Sequence, residues 1–426
     1  MISIDELTTF LEHFTLPHSS HLADGAQISF FDVSHARFVT RRENVFVNGK
    51  EYPMFVNEFW TSRQRQAARL HEVAYRACFK PQLPRFFINL FSQPGDVIYD
   101  PFAGRGTTII EAGLMGRNII ANDVNPLSKI LSQPRFFIPS IPDLVVRLGK
   151  IPIIANQSAE IDLSMFYHPA TEAEIISLKS YLQNRHAAGT EDDLDRWIRM
   201  VATNRLTGHS SGFFSVYTLP PNQATSPARQ RKINARRNQI PEYRDTRKLI
   251  LKKSKQLIKD LTPRQIRNLR AAGKHALFLS RDARHTPEIP TGTVQLTITS
   301  PPFLNVVQYA KDNWLRCWFN GINSEKVARV ITVARTLDKW RRVMEDVFRE
   351  LYRITRSGGW VAFEVGEIHR GQVELEKVVI PLGIAANFHC FGVVVNRQQF
   401  TKTANIWGID NNRKGTNSNR IVLFHK

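Results

Sequence analysis

Val97-Ile98-Tyr99-Asp100-Pro101-Phe102-Ala103-Gly104-Arg105-Gly106, followed by Thr107-Thr108-Ile109-Ile110-Glu111-Ala112-Gly113-Leu114, is the stretch on which the fold turns. A short apolar run behind the Pro94-Gly95-Asp96 turn reads as a strand buried on both faces, and such strands belong to parallel sheets. Strand, glycine turn and helix, in that order, is what a nucleotide-type ligand requires at the carboxyl end of an open α/β sheet. A second strand, Asn118-Ile119-Ile120-Ala121-Asn122, ends on Asp123, whose paired oxygens suit a ribose diol. Neither Gly-Lys-Ser nor Gly-Lys-Thr follows the glycines, and an arginine separates them, which disfavours the phosphate cradle of an ATPase.

Further along, sheet-like sequence returns at residues 275–282 and at Val294-Gln295-Leu296-Thr297-Ile298-Thr299, which runs straight into Ser300-Pro301-Pro302-Phe303. Two prolines at a strand end remove two amide donors and hold the chain extended. Such a segment offers carbonyls and one side-chain oxygen at fixed positions. The Ser300 hydroxyl and the Pro301 carbonyl would grip a planar amino group while its ring stacks on Phe303, with Asn305 and Tyr309 facing the same ring from the next turn. Residues 328–351 read as one long helix, 358–365 as turn plus strand, and 390–395 with 420–424 as an antiparallel pair closing one edge of the sheet.

Residues 100–108 together with 299–303 resemble the amino-group DNA methyltransferases that use S-adenosylmethionine. The resemblance implies an α/β fold: a doubly wound, mostly parallel, seven-stranded methyltransferase sheet with a late antiparallel strand and, in this chain, a large helical insert. It carries the methionine end of the cofactor to Asp100, Phe102, Gly104, Gly106 and Thr107, the ribose to Asp123, and the adenine to the neighbourhood of Asp282 in Arg281-Asp282-Ala283-Arg284. Arg76-Ala77-Cys78-Phe79-Lys80-Pro81-Gln82 resembles the family's segment ahead of the glycine loop, which brings Phe79 and Lys80 to the methionine end. Ser300, Pro301, Pro302 and Phe303 match the catalytic motif and are similar to that of the cytosine-N4 enzymes; adenine-N6 enzymes usually carry Asp or Asn in first place. Phe303, where tyrosine is commoner, keeps the stacking face and loses a hydroxyl. The activity implied is transfer of a methyl group to N4 of a flipped cytosine in duplex DNA, within restriction-modification, with adenine-N6 transfer as the nearest alternative.

Composition bears on partners. The 426 residues, 42% hydrophobic and 23% charged, can bury a full core. Fifty-eight Lys and Arg against 38 Asp and Glu leave a net charge of +20, which favours a polyanionic partner. Three scattered cysteines, Cys78, Cys317 and Cys390, exclude a disulfide framework and a cysteine-rich zinc site, and they fit a reducing compartment. With no basic-flanked apolar leader and no 18-residue apolar run, a soluble, cytoplasmic protein without a membrane partner is expected. His35, His168, His209, His285, His369 and His389 have no compact spacing with Cys or acids, so no metal is expected.

Four regions are anticipated: an N-terminal arm, 1–60, with a hairpin turning at Asn48-Gly49; a cofactor-binding half, 61–138, helical in composition over 62–79; a basic, mainly helical insert, 139–275, suited to target recognition; and a catalytic half, 276–426. Residues 229–259 hold twelve Lys or Arg against two acids, a balance of +10 that is half the net charge of the chain. They read as a basic helix with a loop before it, and Arg229, Arg231, Lys232, Arg236, Arg237, Lys252 and Lys253 are candidates for phosphate contact. Double-stranded DNA is thus the expected partner, and a cognate restriction endonuclease acting on the same site would be a second. A structured-RNA methyltransferase and a catalytically silent DNA-binding protein stay open, although Gly104, Gly106 and Ser300 argue against the silent reading.

Overall fold

The computed structural model describes residues 2–16, 39–61, 67–76, 78–219, 224–302, 312–330, 336–365, 367–368, 373–397 and 418–426. Its strands are β1 (Arg41–Val47), β2 (Lys50–Asn57), β3 (Val97–Asp100), β4 (Asn118–Asn122), β5 (Leu277–Leu279), β6 (Val294–Thr299), β7 (Thr355–Val365), β8 (Glu367–Ile368), β9 (Val373–Glu374), β10 (His389–Arg397) and β11 (Ser418–His425). Nine of them form one sheet in the order β1-β2-β10-β11-β7-β6-β3-β4-β5, and β8 and β9 pair as a separate ribbon. From β7 to β5 every pairing is parallel, while β11 runs against both β7 and β10.

The expected count of seven strands is therefore corrected to nine, because the N-terminal arm joins the sheet. Its hairpin turns on Asn48 and Gly49, both at positive φ (50° and 75°), the backbone that matches the twist of a two-residue hairpin. β2 lies parallel to β10, and the amides of Phe59 and Trp60 both donate to Asn396 Oδ1, at 2.7 and 3.0 Å. The antiparallel pair β10–β11 consequently sits inside the sheet, not at its edge.

Alternation along the strands separates two cores. Ile98, Ile119, Ala121, Leu296, Ile298, Trp360 and Ala362 face one apolar layer, whereas Tyr99, Ile120, Val361, Phe363 and Val365 face the other. Helix Leu337–Ile354 covers the second face through Trp340, Met344, Val347, Phe348 and Leu351. The first face carries helices Gln82–Phe91 and Thr107–Leu114 together with the helices between β4 and β5, which run from Leu127–Ser132 to Pro263–His275. The last of these does the work of an ordinary crossover helix: Leu269 and Ala272 are buried, and Asn268 Nδ2 donates to the Leu114 carbonyl at 3.0 Å. The helical insert thus shares the core of the sheet.

Three local expectations need correction. Among the described residues of 62–79 there is a single 3-10 turn, Arg69–His71, and no long helix. Carbonyls along this stretch are bound from outside: Arg105 donates to His71 O and Val73 O (3.3 and 3.0 Å), and Arg135 donates to Leu70 O (3.2 Å). The expected helix 328–351 is divided into Ser324–Val330 and Leu337–Ile354, the second capped by Thr336, whose hydroxyl accepts from the Lys339 amide. Finally, the basic run forms two helices, Pro227–Arg237 and Thr246–Ile258, with the loop between them. Asn238 in the left-handed region (φ 46°) ends the first, and Asp245 caps the second.

Candidate active site

β3 is flanked by β4 on one side and β6 on the other, so the strand order reverses there and the carboxyl ends open a crevice. Asp100 closes β3; Thr299 closes β6. The Thr299 hydroxyl donates to Asp100 Oδ1 at 2.7 Å, and the Thr108 hydroxyl reaches the Ile298 carbonyl at 3.2 Å. Two motifs nearly two hundred positions apart in sequence thereby meet on one rigid edge.

The crevice holds about 1080 Å³ of space, counting open solvent at its mouth. Phe79, Asp100, Phe102, Gly104, Thr107, Asp123, Asp282, Ser300 and Pro302 all line it, so most of the residues anticipated from sequence come together. Pro301 continues the same backbone between two lining residues. Lys80 and Gly106 are not part of the wall. A Cβ on Gly106 would come within 2.8 Å of Ser132 Cβ, and its φ is +80°, so that glycine serves the packing of the turn against the protein. Gly104, at φ +52°, faces the crevice beneath Tyr75. Phe303, Asn305 and Tyr309 lie outside the described residues.

Asp123 sits half-buried at the end of β4, where its Oδ2 accepts the Gly104 amide (2.8 Å) and its Oδ1 accepts the Asn125 amide (2.9 Å). Each oxygen keeps a lone pair for a further donor. Burial pushes its pKa up to about 6, against two amides that pull it down. Asp100 is likewise pushed to about 6 by burial, opposed by its bonds from Thr299 and from the Phe102 amide. Asp282 is tied by Arg284, which donates from its main chain and guanidinium, and it lies below the usual carboxylate range for that reason. An apolar stretch of the wall comes from Val343, Met344 and Val347 of the Leu337–Ile354 helix. A ligand with a hydroxyl pair, a planar apolar part and a polar tail fits this succession, and S-adenosylmethionine has those parts.

Several contributors were not anticipated. Tyr75 and Asn125 line the crevice, linked by Asn125 Nδ2 to the Tyr75 hydroxyl (3.4 Å). Trp340 lines it and donates from Nε1 to the Pro302 carbonyl at 3.0 Å. Glu364, near the end of β7, is buried; it takes hydrogen bonds from Ser300 and Asn419, and burial drives its pKa up to about 7. A sequence signal existed for only one set: residues 340, 343, 344 and 347 follow helical spacing on one face.

The basic candidates divide. Arg229, Lys232, Arg236 and Lys252 are exposed. Arg231 pairs at the surface with Asp162 (2.6 Å), and the Arg237 guanidinium lies over the Tyr217 ring at 3.9 Å. Lys253 is turned inward and paired with Glu72 at 3.0 Å, so it occupies a core position and not a phosphate-facing one. Helix Pro227–Arg237 starts beside the segment that follows the Ser-Pro-Pro motif, because the Ala224 amide donates to Asp312 O (2.7 Å) and Trp314 Nε1 donates to Thr225 O (3.2 Å). Helix Trp314–Asn320 is held to the insert again by Trp318 Nε1 on Glu160 (2.7 Å) and by Asn320 Nδ2 on Thr203 (2.9 Å). Among the described residues no cluster of His, Cys, Asp and Glu could hold a metal ion, and no helix is long and apolar enough to cross a membrane.

A Rossmann-like, methyltransferase-type α/β fold with a large helical insert is the class that this sheet and crevice define. Residues 37–130 match the model of the N6/N4 methyltransferase family, described as DNA methylase. The chain is 22% identical over 328 residues to the Type II methyltransferase M.BsoBI of Geobacillus stearothermophilus, covering 69% of this chain and 62% of that protein. To the Type II methyltransferase M.MvaI of Kocuria varians it is 28% identical over 195 residues, 41% of each. It is also 33% identical over 84 residues to the tRNA (guanine(10)-N2)-dimethyltransferase of Methanocaldococcus jannaschii (strain ATCC 43067 / DSM 2661 / JAL-1 / JCM 10045 / NBRC 100440), 20% of this chain and 23% of that one. The chain spans less than two thirds of the length of each of these relatives.

Proposed function

We propose that this chain transfers a methyl group from S-adenosylmethionine to the exocyclic amine of a nucleobase in duplex DNA, with N4 of cytosine as the amine, as the modifying partner of a restriction system. One observation carries the reading: the 2.7 Å hydrogen bond from Thr299 to Asp100, which joins the Ser-Pro-Pro segment to the glycine loop at a single crevice. The match of residues 37–130 and the Type II relatives support it.

When bound, the cofactor supplies an electrophilic methyl group on a sulfonium whose departure leaves a neutral thioether. The chain's own residues would do the rest. Asp123 would hold the ribose hydroxyls, the wall of Val343, Met344 and Val347 the purine, and Phe79, Asp100 and Gly104 the methionine end. An aromatic amine is a poor nucleophile because its lone pair is delocalised into the ring. Acceptors at Ser300 Oγ and Pro301 O would draw its two hydrogens out of the ring plane and stabilise the transition state more than the ground state. As the new N–C bond forms, the amine becomes cationic and releases a proton. Ser300 would take that proton while passing its own to Glu364, whose pKa of about 7 suits a carboxylate that accepts and then returns protons to water. Exposed Arg229, Lys232, Arg236 and Lys252 would contact phosphates.

The test is incubation of the purified chain with methyl-labelled cofactor and mixed-sequence duplex DNA, followed by nucleoside digestion and mass spectrometry. N4-methylcytosine is the expected product. N6-methyladenine would keep the enzyme and change the base, whereas label confined to RNA added in parallel would overturn the DNA reading, an outcome to which the tRNA-modifying relative gives weight.

A further inference from the structure

Holding Ser300-Pro301-Pro302 in place is a mechanical problem. Two of its three residues have no amide hydrogen, so the ladder that fixes an ordinary strand end is missing. Side chains from other elements supply the fixed points instead. At the near end Thr299 is bonded to Asp100, and Ser300 to Glu364. At the far end the indole Nε1 of Trp340 donates to the Pro302 carbonyl at 3.0 Å.

Trp340 is 2% exposed and stands on the first turn of helix Leu337–Ile354. With Val343, Met344 and Val347 it forms the helix stripe that walls the crevice. One side chain thus touches the cofactor space with its ring and the acceptor segment with its edge. The ring could pack there without its N–H meeting anything; that the N–H meets the last carbonyl before residue 303 is the informative part.

We propose that Trp340 is a positioning residue: its N–H sets the position of the Ser-Pro-Pro segment relative to the cofactor crevice, and so the distance over which the methyl group travels. This rests on the methyltransferase reading above. The indole contributes at two levels, since its ring belongs to the wall and only its N–H belongs to the segment. Deleting the N–H alone should therefore separate turnover from cofactor affinity. Loss of geometry at the reacting centre is costly because productive attack needs the atoms within a few tenths of an ångström of their place.

The experiment uses the full chain with Trp340→Phe, and with β-(3-benzothienyl)alanine at position 340, which keeps the bicyclic shape and lacks the N–H, as a second variant that preserves packing. Calorimetric titration gives the S-adenosylmethionine Kd, and methyl transfer at saturating DNA and cofactor gives kcat. For the benzothienyl variant the expected result is a Kd within about twofold of the parent and a kcat lower by roughly fivefold to tenfold, the scale of one hydrogen bond; Trp340→Phe, which also trims the crevice wall, should lose at least as much kcat, with any weakening of its Kd reporting the ring and not the N–H. A kcat unchanged in the benzothienyl variant overturns the proposal, and so does a loss that falls entirely on Kd. If the parent chain itself fails to bind the cofactor, the reading beneath fails in the first titration, before any variant is compared.

Discussion

Asp100 keeps a carboxylate where the surroundings disfavour one, and this makes the effect of Asp100→Asn calculable. The side chain is 2% exposed, and burial raises its pKa from 3.8 to about 6 in spite of the bonds from Thr299 and the Phe102 amide. A folded pKa above the unfolded one means that the native state binds more protons between those values, so stability falls as pH rises through the window from about 4 to about 6 and stays low above it. At 1.36 kcal/mol per pKa unit the shift corresponds to roughly 3 kcal/mol. Asparagine keeps an acceptor for Thr299 and the Phe102 amide but brings a buried NH₂, which costs about 1–2 kcal/mol. The variant should therefore be more stable than the parent by about 1–2 kcal/mol at pH 7–8 and no more stable at pH 4. Urea unfolding followed at pH 4, 5, 6, 7 and 8 without cofactor reads this directly. A stability difference independent of pH, or a parent more stable than the variant at pH 8, would refute burial as the source of the shift. Methyl transfer should fall in the same variant, the usual cost of relieving strain at a working site.

Glu364→Gln should remove a rise of kcat with pH centred near 7 and lower its plateau by about 10²-fold, as read from a pH–rate profile; a parent whose kcat is flat from pH 6 to 8 would exclude Glu364 as the proton acceptor. Ser300→Ala should reduce kcat far more than cofactor affinity, and equal turnover at saturation would remove Ser300 from the mechanism. For Asp123→Ala, calorimetry should give a cofactor Kd at least roughly tenfold weaker, since hydrogen bonds to a charged group contribute about 1.5–3 kcal/mol; an unchanged Kd would move the ribose contact elsewhere. Lys253→Met and the pair Arg236→Gln/Arg237→Gln should behave oppositely. The first should lower stability by about 1 kcal/mol in urea unfolding, because Glu72 loses the ammonium but keeps the Gln256 amide and solvent, and the second should flatten the salt dependence of DNA binding by one to two phosphate contacts with a smaller change in stability, that of the Arg237–Tyr217 stacking.

Where the candidate site was legible in the sequence, it was carried by short contiguous patterns. The Val97–Asp100 strand with its glycine turn, Asp123 at the next strand end, and the prolines after Thr299 each declare a backbone shape through local chemistry, and the crevice gathers them. Glu364, Tyr75 and the bond from Trp340 to Pro302 escaped because they come from adjacency in the fold, which no window along the chain contains. Arg105, read from the sequence only as the residue that separates the two glycines, is buried and held by the carbonyls of an extended segment 30-odd residues upstream. Lys252 and Lys253 show the finer limit. One step along a helix is a rotation of about 100°, and Ile250, Lys253, Ser254 and Leu257 occupy the buried face, so neighbouring lysines meet solvent and core respectively. That phase was present in the sequence, but the density of charge concealed it. The nine-stranded sheet was missed for another reason: the Asn48-Gly49 hairpin was plain, whereas its docking on β10 depends on Asn396 reaching two amides more than three hundred residues away.

The bonds from Trp314, Trp318 and Asn320 to the insert have a consequence for anyone wishing to redirect this chain. Loops that merely decorate a scaffold can be traded between homologues at their two ends. Here the trade would cut a seam, because the helix leaving the Ser-Pro-Pro region is buttoned to residues contributed by Glu160, Thr203 and Thr225. A chimera that exchanges residues 139–275 by themselves would remove the side-chain acceptors of Trp318 and Asn320 wherever the donor insert lacks counterparts of Glu160 and Thr203. One that carries residues 312–320 along with the donor insert would bring the matching half of the seam with it.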